Sequence, residues 1–376
     1  MSIVVGGVRE LWYRRTVQLA TGSARCDGWA LGPEALERVL PGTDGARVFA
    51  ALQRPWRWQA GRPLLAARLG AELSEQGLAL PTTLRTHSSS DGSRKLLLAM
   101  PRGGSVEVVH MPRAAGPERV TLCVSSQIGC ALGCAFCATA TLGLERQLTA
   151  GEIVGQVLLS LHAHGPRHPG ELTLVFMGMG EPLHNLTHVA QAIFVLTHPR
   201  GLGLSPRRIT VSTAGLVPQI ALLAELPRRP LLAVSLNATT DALRSELMPV
   251  NRRYPLETLH AALVAYPCRP RERITVEYVL LAGVNDAPDD AARLADFCAG
   301  FPHQINLIPW NEHPGSRFRA PTEAELDAFL AALLRRRPAL VTVRRSRGRD
   351  IEAACGQLAR LSPRGESAAP RVTATA

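Results

Sequence analysis

A chain of 376 residues, 46% hydrophobic and 19% charged, is long enough for one large α/β domain plus a small accessory one, and its composition is that of globular proteins. No apolar run is both long and charge-free enough to cross a bilayer, so no membrane is expected as a partner. The formal charge of +11 and pI near 10.0 favour a polyanionic partner, because each neutralised phosphate releases counterions; yet 41 of the 42 basic residues are Arg and only Lys95 is Lys, a skew that a GC-rich genome produces by itself.

The chain opens MSIVVGGVRELWYRR, with apolar residues ahead of basic ones and no small-residue cleavage pattern. That order is wrong for a secretory signal, so a cytoplasmic location is expected. Trp- and Arg-rich helical stretches follow (RVFAALQRPWRW, PLLAARLGAELSEQ) and end in the polar turn THSSSDGSRK. Residues 1–105 are read as an accessory domain. The β-type stretch SVEVVHMP comes next, separated by MPRAAGPE from the strands that follow.

From residue 106 to 361 short β-branched runs alternate with helical patterns, as in parallel α/β folds. The runs are VTLCVSS, LTLVFMGM, RITVSTAG, LLAVSLNA, ITVEYVLL, INLIPW and LVTVRRS. Several read as continuous apolar strands, the pattern of burial on both faces. Thr149 and Glu152 have the spacing of a capping box and mark a helix start. The fold class is α/β: a partial or complete β/α barrel or a doubly wound sheet, with ligands collecting at the carboxyl ends of the strands. The tail, residues 362–376, lacks periodic apolar residues and is expected to be disordered.

Three of the eight cysteines stand in CALGCAFC as Cys130, Cys134 and Cys137. Such spacing lets one loop wrap several thiolates around a metal centre, and thiolates select iron–sulfur clusters or zinc over hard cations. A zinc site needs a fourth protein ligand, from Cys123 or farther away. A cluster with three protein ligands instead leaves one iron open to a substrate. Three buried cysteines packed as small apolar groups are the bland alternative.

CxxxCxxC after the first strand of a β/α fold resembles the radical S-adenosylmethionine (SAM) enzymes. That resemblance implies one 4Fe-4S cluster on Cys130, Cys134 and Cys137, with SAM chelating the open iron and yielding a 5′-deoxyadenosyl radical. A closer likeness runs in order from about Ser88 to Leu358. The segments TLCVSSQIGCALGCAFCATA, FMGMGEPLHN, ITVSTAG, LAVSL, MPVNRRYPL, TVEYVLLAGVND, NLIPWN and RGRDIEAACGQL resemble RlmN and its Cfr relatives, adenine methyltransferases of large-subunit rRNA and tRNA.

What the resemblance implies is radical methylation of an adenine carbon, C2 or, as in Cfr, C8. Carbon 2 lies between two ring nitrogens and is too electron-poor to attack a methyl sulfonium directly. By motif, Cys355 corresponds to the methyl carrier, Cys123 to the thiol that resolves the adduct as a disulfide, and Glu107 to the base that removes a proton. Gly180, Glu181, Ser212, Ser235, Leu236, Asn237 and Asn311 match SAM contacts. Two segments depart from the family pattern: Asn237 stands where SLHA is usual, and ATATLGLERQLT lacks the usual Gln-containing segment. The implied partners are RNA and an electron donor such as flavodoxin or ferredoxin, with the enzyme a monomer. The accessory region contacts RNA through Arg and Trp, or Trp56 and Trp58 simply pack inward. A basic RNA-binding factor that keeps a cluster without turnover is the reading from another class. Cys26, Cys268 and Cys298 carry no motif and are read as structural.

Overall fold

The computed structural model describes residues 28–40, 42–54, 79–113, 119–164, 171–313 and 315–358. The start of the chain, Cys26, Trp56, Trp58, the PLLAARLGAELSEQ stretch and the tail lie outside those residues. Twelve strands are described: β1 (Thr82–Ser88), β2 (Arg94–Ala99), β3 (Ser105–Pro112), β4 (Val120–Cys123), β5 (Gln127–Gly129), β6 (Leu144–Gln147), β7 (Leu172–Phe176), β8 (Ile209–Thr213), β9 (Leu231–Ser235), β10 (Ile274–Leu280), β11 (His303–Pro309) and β12 (Val341–Val343). Among the helices are α1 (Pro33–Val39), α2 (Gly45–Leu52), α3 (Ala150–His164), α4 (Leu186–Leu196), α5 (Val217–Ala224), α6 (Asp241–Leu247), α7 (Leu256–Val264), α8 (Pro288–Phe297) and α9 (Glu323–Arg335).

All seven strand runs read from the sequence form strands, and they pair in parallel in chain order: β4, β7, β8, β9, β10, β11, β12. Parallel neighbours need crossovers, which the intervening helices supply. A doubly wound sheet would reverse its strand order at a switch point. This one never does, so the architecture is the open β/α barrel. On the other side of β4 the antiparallel strands β3, β2 and β1 extend the same sheet. The sheet therefore runs across the boundary expected near residue 105: THSSSDGSRK spans the end of β1, the tip of the β1–β2 hairpin and the start of β2.

Side chains alternate along each parallel strand. Leu172, Leu174 and Phe176 of β7, Ile209 and Val211 of β8, and Ile274, Val276 and Tyr278 of β10 belong to the main apolar core. Their neighbours Thr173, Thr210, Thr275 and Glu277 line a cavity instead, together with Val175, Thr121 of β4, Asn306 of β11 and Arg344 just after β12. Residues from both ends of the parallel run meet around one space only if the sheet curls. The strands that read as apolar on both faces thus carry a polar residue at every second or fourth position, and those positions mark the concave wall.

Local signals fix the ends of elements. The capping box at α3 is present in full: Glu152 N–H donates to Thr149 Oγ1 (3.2 Å) and Thr149 N–H to Glu152 Oε2 (2.9 Å). Arg146 on β6 adds an ion pair to the same carboxylate at 2.7 Å. The strand pattern missed β1, β2, β5 and β6; β6 is formed by the LERQ segment, pairing antiparallel with β5.

His110 on β3 is buried, with Nε2 2.9 Å from the carbonyl of His164 and Nδ1 without a hydrogen-bond partner. Burial pushes its pKa down from 6.5 to about 4. Across that window the unfolded imidazole holds a proton that the folded one does not, so stability falls as pH drops from about 6.5 to about 4. Urea midpoints measured across this range should show that slope in the wild type and a shallower one in His110→Gln. Equal slopes in the two proteins would exclude His110 as the source.

Candidate active site

The turns that follow the parallel strands converge at one end of the barrel around a cavity of about 170 Å³. Cys130, Cys134 and Cys137 form part of its wall, in the loop between β5 and a short 3-10 turn (Ala138–Leu142). The loop is held by backbone bonds from Cys130 N to Gly143 O (2.9 Å), Ala135 N to Leu247 O (2.9 Å) and Ala138 N to Gly356 O (2.7 Å). Trp310 Nε1 also donates to Phe136 O at 3.0 Å. Gly129 allows the approach: a Cβ there would lie 1.7 Å from the Gly143 carbonyl oxygen.

Burial pushes the Cys130 thiol up to about 11 and raises Cys134 and Cys137 as well. Three desolvated thiols in mutual reach become thiolates only beside a compensating cation, which iron supplies. Among the described residues no three His, Cys, Asp or Glu side chains converge as ligands of a single ion. A cluster spreads its irons over several corners and needs thiols around a space, and three thiols of one loop line this one. The donor set therefore fits the cluster.

Opposite the cysteines stand polar groups from four strand ends. Glu181 follows β7 and is buried; its carboxylate accepts from Leu183 N (3.0 Å) and Ala214 N (2.8 Å). Burial nevertheless lifts its pKa to about 7. An ammonium group arriving beside it would favour the charged form. Gly180 has φ +97°, and a Cβ there would meet the Gln127 side chain at 2.5 Å, so only glycine lets this turn pack. Ser212, the penultimate residue of β8, donates to Glu277 Oε2 at 2.9 Å. Ser235, Asn237 and Asn311 complete this wall, while Leu236 is fully buried behind it. These groups suit a ligand that carries amino, carboxylate and hydroxyl functions, as SAM does.

Asn237 lies at φ +58°, in the left-handed region where Asn and His are both enriched among non-glycine residues. Its amide oxygen accepts from Val279 N at 2.9 Å, and its Nδ2 faces Met248 Sδ at 3.3 Å. Asn237 thus keeps a polar tip in this conformation and brings no group that titrates near neutral pH.

Cys355 lines this cavity and also a second one of about 330 Å³ on the concave face below it. Asn311 Nδ2 donates to the Cys355 carbonyl at 3.2 Å. Cys123, at the end of β4, lines the second cavity only; the two cysteines are free thiols facing one space. Burial pushes the Cys123 thiol up to about 12. Glu107 lines neither cavity. It is buried beside them on β3, ion-paired with Lys95 at 3.0 Å.

Three further residues belong to the site. Met177 and Glu277 line both cavities, and Arg344 lines the second, 3.9 Å from Glu277 and 3.3 Å from Met177 Sδ. Cys355, with Glu277 and Cys123, holds the Arg344 guanidinium above its ordinary value. Glu277 could have been found: a lone carboxylate inside the strand ITVEYVLL is buried and costly unless it serves a site. Arg344 gave no such signal among 41 arginines.

A family model described as the Radical SAM superfamily matches residues 124–295. The chain is 49% identical over 296 residues to the dual-specificity RNA methyltransferase RlmN of Syntrophotalea carbinolica, a match covering 78% of this chain and 77% of that one. With the protein of the same name from Sorangium cellulosum the identity is 44% over 360 residues, covering 84% and 91%. Its fold is similar to the crystal structure of a radical SAM methyltransferase from Sphaerobacter thermophilus, with a TM-score of 0.79 and 39% identity over 88% of this chain and 98% of that one.

The turns after β8 and β9 hang on one fully buried side chain. Arg244 of α6 donates to Leu236 O (3.0 Å), Ala214 O (2.7 Å), Ser235 O (3.2 Å) and Asn251 Oδ1 (2.9 Å). Arg244→Ala strands four buried acceptors and should cost about 3 kcal/mol of unfolding free energy. Urea titration with an unchanged m-value is the measurement, and a loss below about 1 kcal/mol would mean that the carbonyls find other donors.

Proposed function

The chain belongs to the RlmN family of radical SAM RNA methyltransferases, and on that premise we propose that it methylates carbon 2 of an adenine in rRNA or tRNA, with Cys355 as methyl carrier. The observation that supports this most is the place of Cys355. It is shared by a cavity walled by three cysteines and polar strand ends and by a second cavity that also holds Cys123. A carrier that takes a group from one ligand and delivers it to another has to reach both.

Cys130, Cys134 and Cys137 would hold the cluster. Gly180, Glu181, Ser212, Ser235, Asn237 and Asn311 would hold SAM, with Leu236 backing the wall they form. When bound, the pair supplies a methyl group and a 5′-deoxyadenosyl radical. The chain's own residues do the rest. Cys355 carries the methyl group as a thioether at the junction, where the buried walls exclude water. Cys123, across the second cavity, closes a disulfide with Cys355 as the bond from the Cys355 sulfur to the base-bound carbon breaks; the Cys123 proton completes the methyl group of the released base, and the adduct's odd electron would return to the cluster. Glu107, held by Lys95, accepts the proton that the adduct loses.

The second cavity suits a base drawn out of RNA, since threonine hydroxyls, Asn306 and Arg344 offer donors and acceptors to its edge. Among the described residues no helix is long and apolar enough to cross a membrane. Our reading adds a cytoplasmic, monomeric enzyme reduced by a small electron-transfer protein such as flavodoxin or ferredoxin.

The test is anaerobic reconstitution with iron and sulfide, followed by nucleoside analysis of rRNA and tRNA incubated with SAM and reductant. We expect 2-methyladenosine from the wild type and none above background from Cys355→Ala at equal iron content. 8-Methyladenosine would move the reaction to the other carbon. Methylation persisting in Cys355→Ala would remove the carrier role.

A further inference from the structure

Lys95 is the only lysine among 42 basic residues. Wherever a positive charge alone is needed, this chain uses Arg, so the position that keeps Lys needs what Arg lacks. Lys95 is the second residue of β2 and is 2% exposed, as is its partner Glu107. Its Nζ has two acceptors from distant parts of the chain: Glu107 Oε1 at 3.0 Å and the carbonyl of Glu352 at 3.1 Å. An ammonium offers compact donors on a thin stem. A guanidinium is a planar fork of five, and would leave donors unmatched in so enclosed a place.

The register puts these groups beside the site. Lys95 pairs with Val109, and Val109 with Cys123. Directly opposed residues share a face, as do alternate residues along a strand, so Lys95, Glu107 and Cys123 all project to the concave side. Glu352 stands three residues before Cys355 at φ +52°, ending a turn that begins at Gly348, φ +65°. The hairpin that carries Lys95 grips the same turn at its tip. Ser89 Oγ donates to Asp350 Oδ1 at 2.6 Å, Ser90 N to Asp350 Oδ2 at 3.1 Å, and Gly348 N to Asp91 Oδ2 at 3.0 Å.

We propose that Lys95 is a positioning residue for the methyl transfer: its ammonium ties the Glu107 carboxylate to the Glu352 carbonyl and so fixes the turn that presents Cys355 between the two cavities. The β1–β2 hairpin is then a clamp on the carrier turn. The inference rests on the reading of Cys355 as carrier. It requires that radical generation, which depends on groups at the strand ends, survive the loss of Lys95 while delivery to the base does not.

The test reads two products of the reconstituted holoenzyme, 5′-deoxyadenosine and methylated adenosine. Lys95→Met and Lys95→Arg should keep cluster content and SAM cleavage within about twofold of wild type, while methylated adenosine formed per 5′-deoxyadenosine falls about tenfold or more, as for a misplaced reacting group. A purely structural role would lower cluster content and both products together. A second readout needs no cofactor: in cluster-free protein, diamide oxidises Cys123 and Cys355 to their disulfide, taking up the two thiol protons and two electrons. The rate of that bond, followed by mass spectrometry, should also fall about tenfold in the variants.

Asp350→Ala cuts the clamp at the surface and should lower the product ratio about threefold; together with Lys95→Arg it decides the matter if Lys95→Met loses its cluster. An unchanged product ratio and disulfide rate in Lys95→Arg and Asp350→Ala would overturn the proposal. Methylation that survives Cys355→Ala would overturn the carrier reading instead. The disulfide rate, which needs only the two thiols, would still report whether Lys95 positions Cys355.

Discussion

The backbone bond from Ala138 N–H to Gly356 O, 2.7 Å long, joins two segments more than 200 residues apart, and the site depends on it. One is the cysteine loop; the other is the turn that ends the described chain. Each is irregular, and neither has a strand ladder to satisfy its polar groups. Buried backbone donors and acceptors have to find partners, and here the two segments partner each other and the strand-end residues Trp310 and Asn311. Cysteines placed by unrelated parts of the sequence thereby come to share one cavity wall.

The barrel makes this meeting possible by separating its two faces. The convex face is apolar and packs against helices; the concave face alternates to threonine, serine, glutamate and asparagine. Burying so many polar groups is unfavourable unless each is bonded or lines a space that a ligand fills. Ser212 and Glu277 bond one another, and Arg244 gathers three carbonyls from the turns after β8 and β9. The polar interior is therefore largely pre-formed, which suits a site that has to hold a reactive species away from water.

Asn237 meets a backbone demand and a hydrogen-bonding demand at once. Its positive φ is demanded by the turn after β9, and the position selects for side chains that tolerate that conformation. Asn meets the demand while its amide oxygen fixes β10 through Val279. The β6 segment LERQ pairs with β5 and supplies Arg146 to Glu152.

Much of this was legible in the sequence, for local reasons. The seven parallel strands announced themselves because β-branched residues cluster where both faces are covered. The α3 start was readable because a capping box needs only two residues at fixed spacing. The cysteine loop was readable because one short segment supplies all three thiols. The antiparallel extension by β1 to β3, the choice of barrel over doubly wound sheet, and the membership of Glu277, Met177 and Arg344 in the site were not. Nor was the burial of Glu107 against Lys95 beside the cavities, lining neither. These depend on curvature and on contacts between residues hundreds of positions apart, to which no spacing or periodicity along the chain corresponds. The sequence by itself determined which chemical groups are present and which elements carry them; the tertiary structure decided which groups share a space, because only closing the sheet into a barrel sets the distances between its strand ends.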